Sequence, residues 1–155
     1  MAEVIFYHLT RNPVDVTLQG LLTRALERKW RVVVRGRERA RLEWLDEKLW
    51  LGAEEDFLPH GLSGGPHDAD QPVLLTETHA LPNGAACLMT VDGALLDPAE
   101  AAGLERVCVL FDGNNTEELE GARGLWKTIA SAGLAAQYWS EESGRWEKKM
   151  ERPSG

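Results

Sequence analysis

The chain has 155 residues, 43% of them hydrophobic and 27% charged, and a net charge of −8. That length and balance fit one domain with a real core and exclude bulk disorder. An overall acidic chain is a poor non-specific DNA binder, and no apolar run approaches the roughly 20 residues of a membrane span.

The opening Met1-Ala-Glu-Val-Ile-Phe-Tyr lacks a basic region and a cleavage site, so it does not read as a signal peptide. Residues 3–9, rich in Val4, Ile5, Phe6 and Tyr7, read as a first strand. Over residues 14–29, Leu18, Leu21, Leu22, Ala25 and Leu26 recur at helical spacing. Residues 30–35 form a short strand through Val32, Val33 and Val34, and residues 37–49 return to helical spacing through Leu42, Leu45 and Leu49. The window from Arg24 to Arg41 holds eight cations against Glu27 and Glu38, a local +6 that leaves −14 elsewhere. Its plain reading is a solvated face on two helices, although it could attract an acidic partner.

The segment 49–66, LWLGAEEDFLPHGLSGGP, carries Trp50, Phe57, Leu58 and Leu62 but is broken by Gly52, Pro59, Gly61, Gly64 and Gly65. Neither helical nor strand periodicity runs through it. Large apolar groups on a long connector imply that it folds over its own core or is covered by another protein.

Residues 72–78 and 85–91 read as further strands, and a short helix follows Asp97-Pro98, with Pro where a missing N–H costs nothing. Residues 106–112 are apolar on both faces, as in a central parallel strand. A helix over 115–132 has Asn115 and Glu118 in capping-box positions and stops at Gly133. Tyr138, Trp139 and Trp146 around Ser143-Gly144 suit a strand or hairpin. Alternating strands and helices predict a three-layer α/β sandwich with a mainly parallel, Rossmann-like sheet. It forms a single domain over 1–150, with 151–155 frayed. Cys87 and Cys108 lie in the apolar strands and read as reduced core thiols of a cytoplasmic protein.

The chemistry expected of a nucleotide fold is missing. His8-Leu-Thr-Arg-Asn-Pro13 follows the first strand without glycine, there is no GxxxxGK[ST], and Ser63-Gly64-Gly65 precedes a strand rather than a helix. Asp112-Gly113-Asn114-Asn115, at the end of the central strand, could serve a small α/β enzyme or a nucleotide- or magnesium-binding protein; a turn with a helix cap is the simpler reading. His60 and His67 with Asp68 and Asp70 lack metal-ligand spacing, and no serine lies in a nucleophile elbow. No catalytic residue, metal or cofactor is therefore expected. Arg123, Trp126 and Lys127 are spaced i, i+3, i+4 and share one helix face. Two cations beside an aromatic ring make a cradle for an acidic peptide with a terminal apolar residue, or else a solvated edge with the ring packed inward.

These residues resemble the chi subunit of bacterial DNA polymerase III. The resemblance rests on Asp46-Glu47-x-Leu49-Trp50 followed by Phe57-x-Pro59-His60-x-Leu62, on Phe6-Tyr7, and on Arg123-x-x-Trp126-Lys127 with Ala132-Gly133. It implies a non-catalytic accessory protein with a Rossmann-like fold. Such a protein would link the clamp loader, through the psi subunit or another clamp-loader or helicase-like protein, to the acidic C-terminal tail of single-stranded DNA-binding protein. Trp50, Phe57, Pro59, His60 and Leu62 would face psi, and Arg123, Trp126 and Lys127 would hold the tail. Familiar members carry a further lysine near the start of the last helix, where this chain has Leu119 and Glu120, and a tyrosine in place of Trp126.

Overall fold

The computed structural model describes residues 2–51 and 59–153. Strands β1 (Glu3–Leu9), β2 (Val32–Arg35), β3 (Gly61–Leu62), β4 (Val73–Thr76), β5 (Cys87–Thr90), β6 (Arg106–Asp112), β7 (Ala135–Ser140) and β8 (Glu147–Arg152) form one sheet in the order β3-β4-β2-β5-β6-β1-β7-β8. Every pairing is parallel except β7 with β8. Helices α1 (Val14–Glu27) and α2 (Arg39–Leu51) cover one face, and α3 (Pro98–Ala102) and α4 (Thr116–Ser131) cover the other. The expected three-layer α/β sandwich is the architecture found.

Strand alternation divides the core. Val32, Val34, Val73, Leu75, Cys87, Met89, Cys108 and Leu110 point toward α1 and α2. Val33, Leu74, Leu88, Val107, Val109 and Phe111 point toward α3 and α4. Because both faces are covered, the strands read as unbroken apolar runs rather than an in-out alternation. The helices dock through the residues whose spacing identified them: Leu18, Leu22 and Ala25 from α1, and Leu42, Leu45 and Leu49 from α2. Each fully buried leucine contributes about 2 kcal/mol relative to exposure. Cys87 and Cys108 are both buried and free. Their mutual hydrogen bond and complete burial push the Cys108 thiol well above its ordinary pKa, so it is an unreactive core group.

Local signals hold with adjustments. Asn115 accepts from the Glu118 amide at 3.1 Å, but the Glu118 carboxylate accepts from the Asp112 amide at 3.1 Å instead of from Asn115, so the reciprocal half of that cap is absent. The complete capping box belongs to α3, between Asp97 and Glu100. Gly133 leaves α4 at φ 76°, the left-handed geometry glycine favours. The C-terminal hairpin carries β8 past Met150 to Arg152.

The reading of residues 24–41 as a solvated face on two helices requires correction. Strand β2 runs through the window, and Arg35 at its end is buried, with a side-chain exposure of 1%. Its guanidinium donates from Nη1 and Nη2 to Glu100 at 3.0 and 2.8 Å, and to the carbonyls of Thr78 and Leu95 at 3.1 and 3.3 Å. Arg39 bonds Ser63 and Glu77, Arg41 bonds Asp92, and Arg37 pairs with Glu117. Much of the positive charge that looks free in the sequence is consumed by carboxylates distant in the chain.

Candidate partner-binding faces

Helix α4 packs on β6 and β7 through Ala122 and Ile129, which fixes the direction of its other faces. Arg123 and Lys127 are exposed, and neither forms an ion pair among the described residues. Trp126 is half-buried between them. Its ring meets Phe6 edge-on at 5.4 Å and Tyr138 edge-on at 6.1 Å. Trp126 therefore packs inward on Phe6 and Tyr138 and stays partly exposed on the helix that carries both cations.

The aromatic floor continues into residues whose part here the sequence does not announce. Tyr138 packs on Phe6 at 6.3 Å and on Phe111 at 5.9 Å, and its hydroxyl bonds His8 Nδ1 at 2.9 Å. His8 stacks on Phe111 at 5.1 Å and lies 3.6 Å from the exposed carboxylate of Glu142. Burial lowers the His8 pKa from its ordinary value, Glu142 opposes that shift, and the charge of Arg123 reinforces it. Burial raises the Tyr138 pKa, and Arg123 acts against it. His8, Tyr138, Glu142 and Arg123 thus share one electrostatic neighbourhood, although 115 positions separate His8 from Arg123 in the chain (123 less 8).

The second face lies at the end of α2. Trp50 is 47% exposed and its ring lies 4.3 Å from that of His60. His60 is buried, and its Nε2 is 3.1 Å from both the Asp46 carboxylate and the Asp46 carbonyl. Leu62, in β3, is half-buried against the α1/α2-side core, and Pro59 is half-buried. Asp46, Trp50 and His60 therefore form one unit, in which Trp50 is the most exposed member. Phe57 lies outside the described residues.

The third candidate is the cleft beyond the carboxyl ends of β1 and β6, where α1 and α4 leave toward opposite faces of the sheet, the usual ligand position in open α/β folds. It encloses about 680 Å³. The turn after β1, where such folds hold phosphate, is occupied by the chain's own carboxylate. Glu141, 1% exposed, accepts from the backbone amides of Thr10, Arg11 and Asn12 at 3.4, 2.5 and 2.5 Å. In the Asp112–Asn115 turn, Asp112 Oδ1 accepts from the Asn114 amide at 2.9 Å, and Asn114 donates to the Thr10 carbonyl at 3.2 Å. Gly113 sits so close to His8 that a Cβ there would lie 1.9 Å from Nε2. The turn acts as a clip between β6 and the β1–α1 loop. Arg37 and Arg41, the cations of the cleft beyond that loop, are paired to Glu117 and Asp92.

Among curated proteins, a probable DNA polymerase III subunit chi from Rickettsia prowazekii (strain Madrid E) is 24% identical over 91 residues, covering 59% of this chain and 55% of its own length. The match thus spans little more than half of that relative. The family profile described as DNA polymerase III chi subunit, HolC, matches residues 1–137. That stretch takes in both faces, from Trp50, Pro59, His60 and Leu62 to Arg123, Trp126 and Lys127, and stops just before Tyr138. The chain belongs to the DNA polymerase III chi subunit family.

Proposed function

We propose that this protein is a non-catalytic accessory subunit of a bacterial DNA polymerase III. It bridges the clamp loader, through psi or another clamp-loader or helicase-like protein, to the acidic C-terminal tail of single-stranded DNA-binding protein. The observation that carries this reading is the α4 face. Arg123 and Lys127 lack carboxylate partners among the described residues and flank a ring backed by Phe6 and Tyr138. An acidic peptide ending in an apolar side chain complements both the charges and the ring. Trp50, on the platform made by His60 and Asp46, is the clamp-loader-side anchor, and Phe57, Pro59 and Leu62 are further residues of that contact.

The alternative, a small α/β enzyme or a nucleotide- or magnesium-binding protein using the Asp112–Asn115 turn, is disfavoured by Glu141, which already satisfies the amides a phosphate would need.

Calorimetric titration of an acidic peptide ending in Phe tests the proposal. Sheltered charge-assisted hydrogen bonds contribute about 1.5–3 kcal/mol, so Arg123→Ala should weaken binding roughly tenfold or more. Arg123→Glu should weaken it further, and added salt should weaken the wild-type complex. Equal affinity in all three proteins would move the tail elsewhere. Stabilisation by a nucleotide with Mg²⁺ but not by the peptide would favour the enzyme reading.

A further inference from the structure

The register of the C-terminal hairpin gives the α4 face a second side. Met150 lies opposite Tyr138, and Arg152 opposite Ala136. Tyr138 and Ala136 pack in the α4-side core, and residues directly opposite in an antiparallel ladder share a face of the sheet. Met150 and Arg152 therefore stand on the α4 side. Lys148 and Glu151, opposite Trp139 and Gln137, stand on the other side and bond each other at 3.0 Å. Lys149 falls at the register shift between them.

Met150 is 46% exposed although it neighbours Tyr138, which in turn touches Trp126. Arg152 is exposed and forms no ion pair among the described residues. The carboxylates that the C-terminal hairpin places on this side, Glu142 beside His8 and Glu147 opposite Ser140, lie toward the carboxyl end of β7, away from Arg152. A shelf with an apolar centre and an unpaired cation thus continues the aromatic floor outward from α4.

The geometry points to β8 as the second wall of a groove, shared with α4, for an extended acidic peptide: Met150 receives an apolar side chain beside Trp126 and Tyr138, and Arg152 supplies a third cation after Arg123 and Lys127. The inference rests on the tail-binding reading and adds residues beyond the family match, which ends at residue 137. Charge complementarity identifies the occupant: three cations without ion pairs among the described residues border an apolar floor. Continuity with the α4 face supports the same occupant. A six-residue strand is about 20 Å long, enough to line about six residues of extended peptide.

Fluorescence anisotropy with a labelled acidic peptide ending in Phe decides the matter, with melting curves to confirm that each variant folds. Arg152→Glu should weaken binding about tenfold, because repulsion replaces attraction. Met150→Gln should weaken it severalfold. Lys148→Glu changes the net charge equally from the opposite face of the same strand and should bind like wild type. Equal losses in Arg152→Glu and Lys148→Glu would mean that only bulk charge is felt, and would overturn the inference. Wild-type affinity in Arg152→Glu would overturn it too. Arg123→Ala separates the two levels: if it weakens binding while Arg152→Glu does not, only the β8 wall is wrong. If neither variant changes affinity, the tail-site reading falls as well. A dimer in sedimentation that Met150→Gln dissolves, with peptide affinity unchanged, would make this face an interface between copies and refute the groove.

Discussion

Arg35, at the end of β2, is the most deeply buried cation of the Arg24–Arg41 window. Its cationic neighbours suggest solvent, yet its guanidinium is enclosed and fully engaged by Glu100 and two backbone carbonyls. Burial opposes ionisation of Glu100, but hydrogen bonds from Arg35 and the Asp97 amide outweigh it and hold the carboxyl below its ordinary pKa. Removing one partner of a buried pair strands the other, at a cost of about 3 kcal/mol or more. Arg35→Ala should therefore lower the denaturation midpoint strongly, and a melt within a degree or two of wild type would show the pair to be dispensable. His8 gives a pH test. Its folded pKa is depressed by burial, so the unfolded chain binds a proton at higher pH than the folded one. The stability that neutral His8 provides is complete above the unfolded value of about 6.5 and is lost as pH falls toward the folded value. Glu142, Glu141 and Asp112 oppose this shift and Arg123 reinforces it, so the window opens just below about 6.5. Urea midpoints of wild type should fall more between pH 7.5 and 5.5 than those of His8→Phe. Parallel losses would mean that other groups dominate the acid slope.

The elements show what local sequence encodes. Helices α1 and α2 and strands β1, β2, β4, β5 and β6 follow from local spacing and apolar runs such as Leu18, Leu22, Leu42, Leu45 and the valines, and α4 follows from its cap and its closing glycine. Strand β3 is only two residues long, too short for a periodic signal, and exists because β4 pairs with it. The α4 cations and Trp126 are legible from helical spacing, whereas Tyr138, His8 and Glu142 join them only through the packing of β1 against β7. Glu141 is legible only in the fold: nothing near Ser140 in sequence indicates that the following carboxylate closes a loop 129 to 131 residues away. Glu141→Ala should strand three amide donors and destabilise by about 3 kcal/mol or more, given 1.5–3 for each hydrogen bond to a charged group. It should also speed hydrogen exchange at Arg11 and Asn12. Because those amides form an anion-binding turn once the carboxylate is gone, inorganic phosphate should raise the melting temperature of the variant but not of wild type. Phosphate stabilising both proteins equally would place its site elsewhere.

At the scale of the whole molecule, sheet order separates the two proposed partners. β3, which carries Leu62 beside the Trp50–His60 unit, is the first strand of the sheet, and β7, beneath Trp126, is the seventh. Six strand spacings of about 4.8 Å place them about 29 Å apart. The faces also lie in different layers: α2 belongs to the α1 side of the core, and α4 to the other. No residue described for one face touches the other, so the two binding free energies should add within about 0.5 kcal/mol. Trp50→Ala should lose about 2 kcal/mol of affinity for the clamp-loader-side partner, the scale of a central aromatic anchor, while binding the acidic peptide like wild type. Arg123→Glu should show the converse. Saturating the protein with the peptide should leave affinity for the other partner within about threefold, and a three-component complex should elute as one species. A larger change in either direction would mean that the sheet transmits binding between its edges. Mutual exclusion would refute the bridge, because a linker must hold both partners at once.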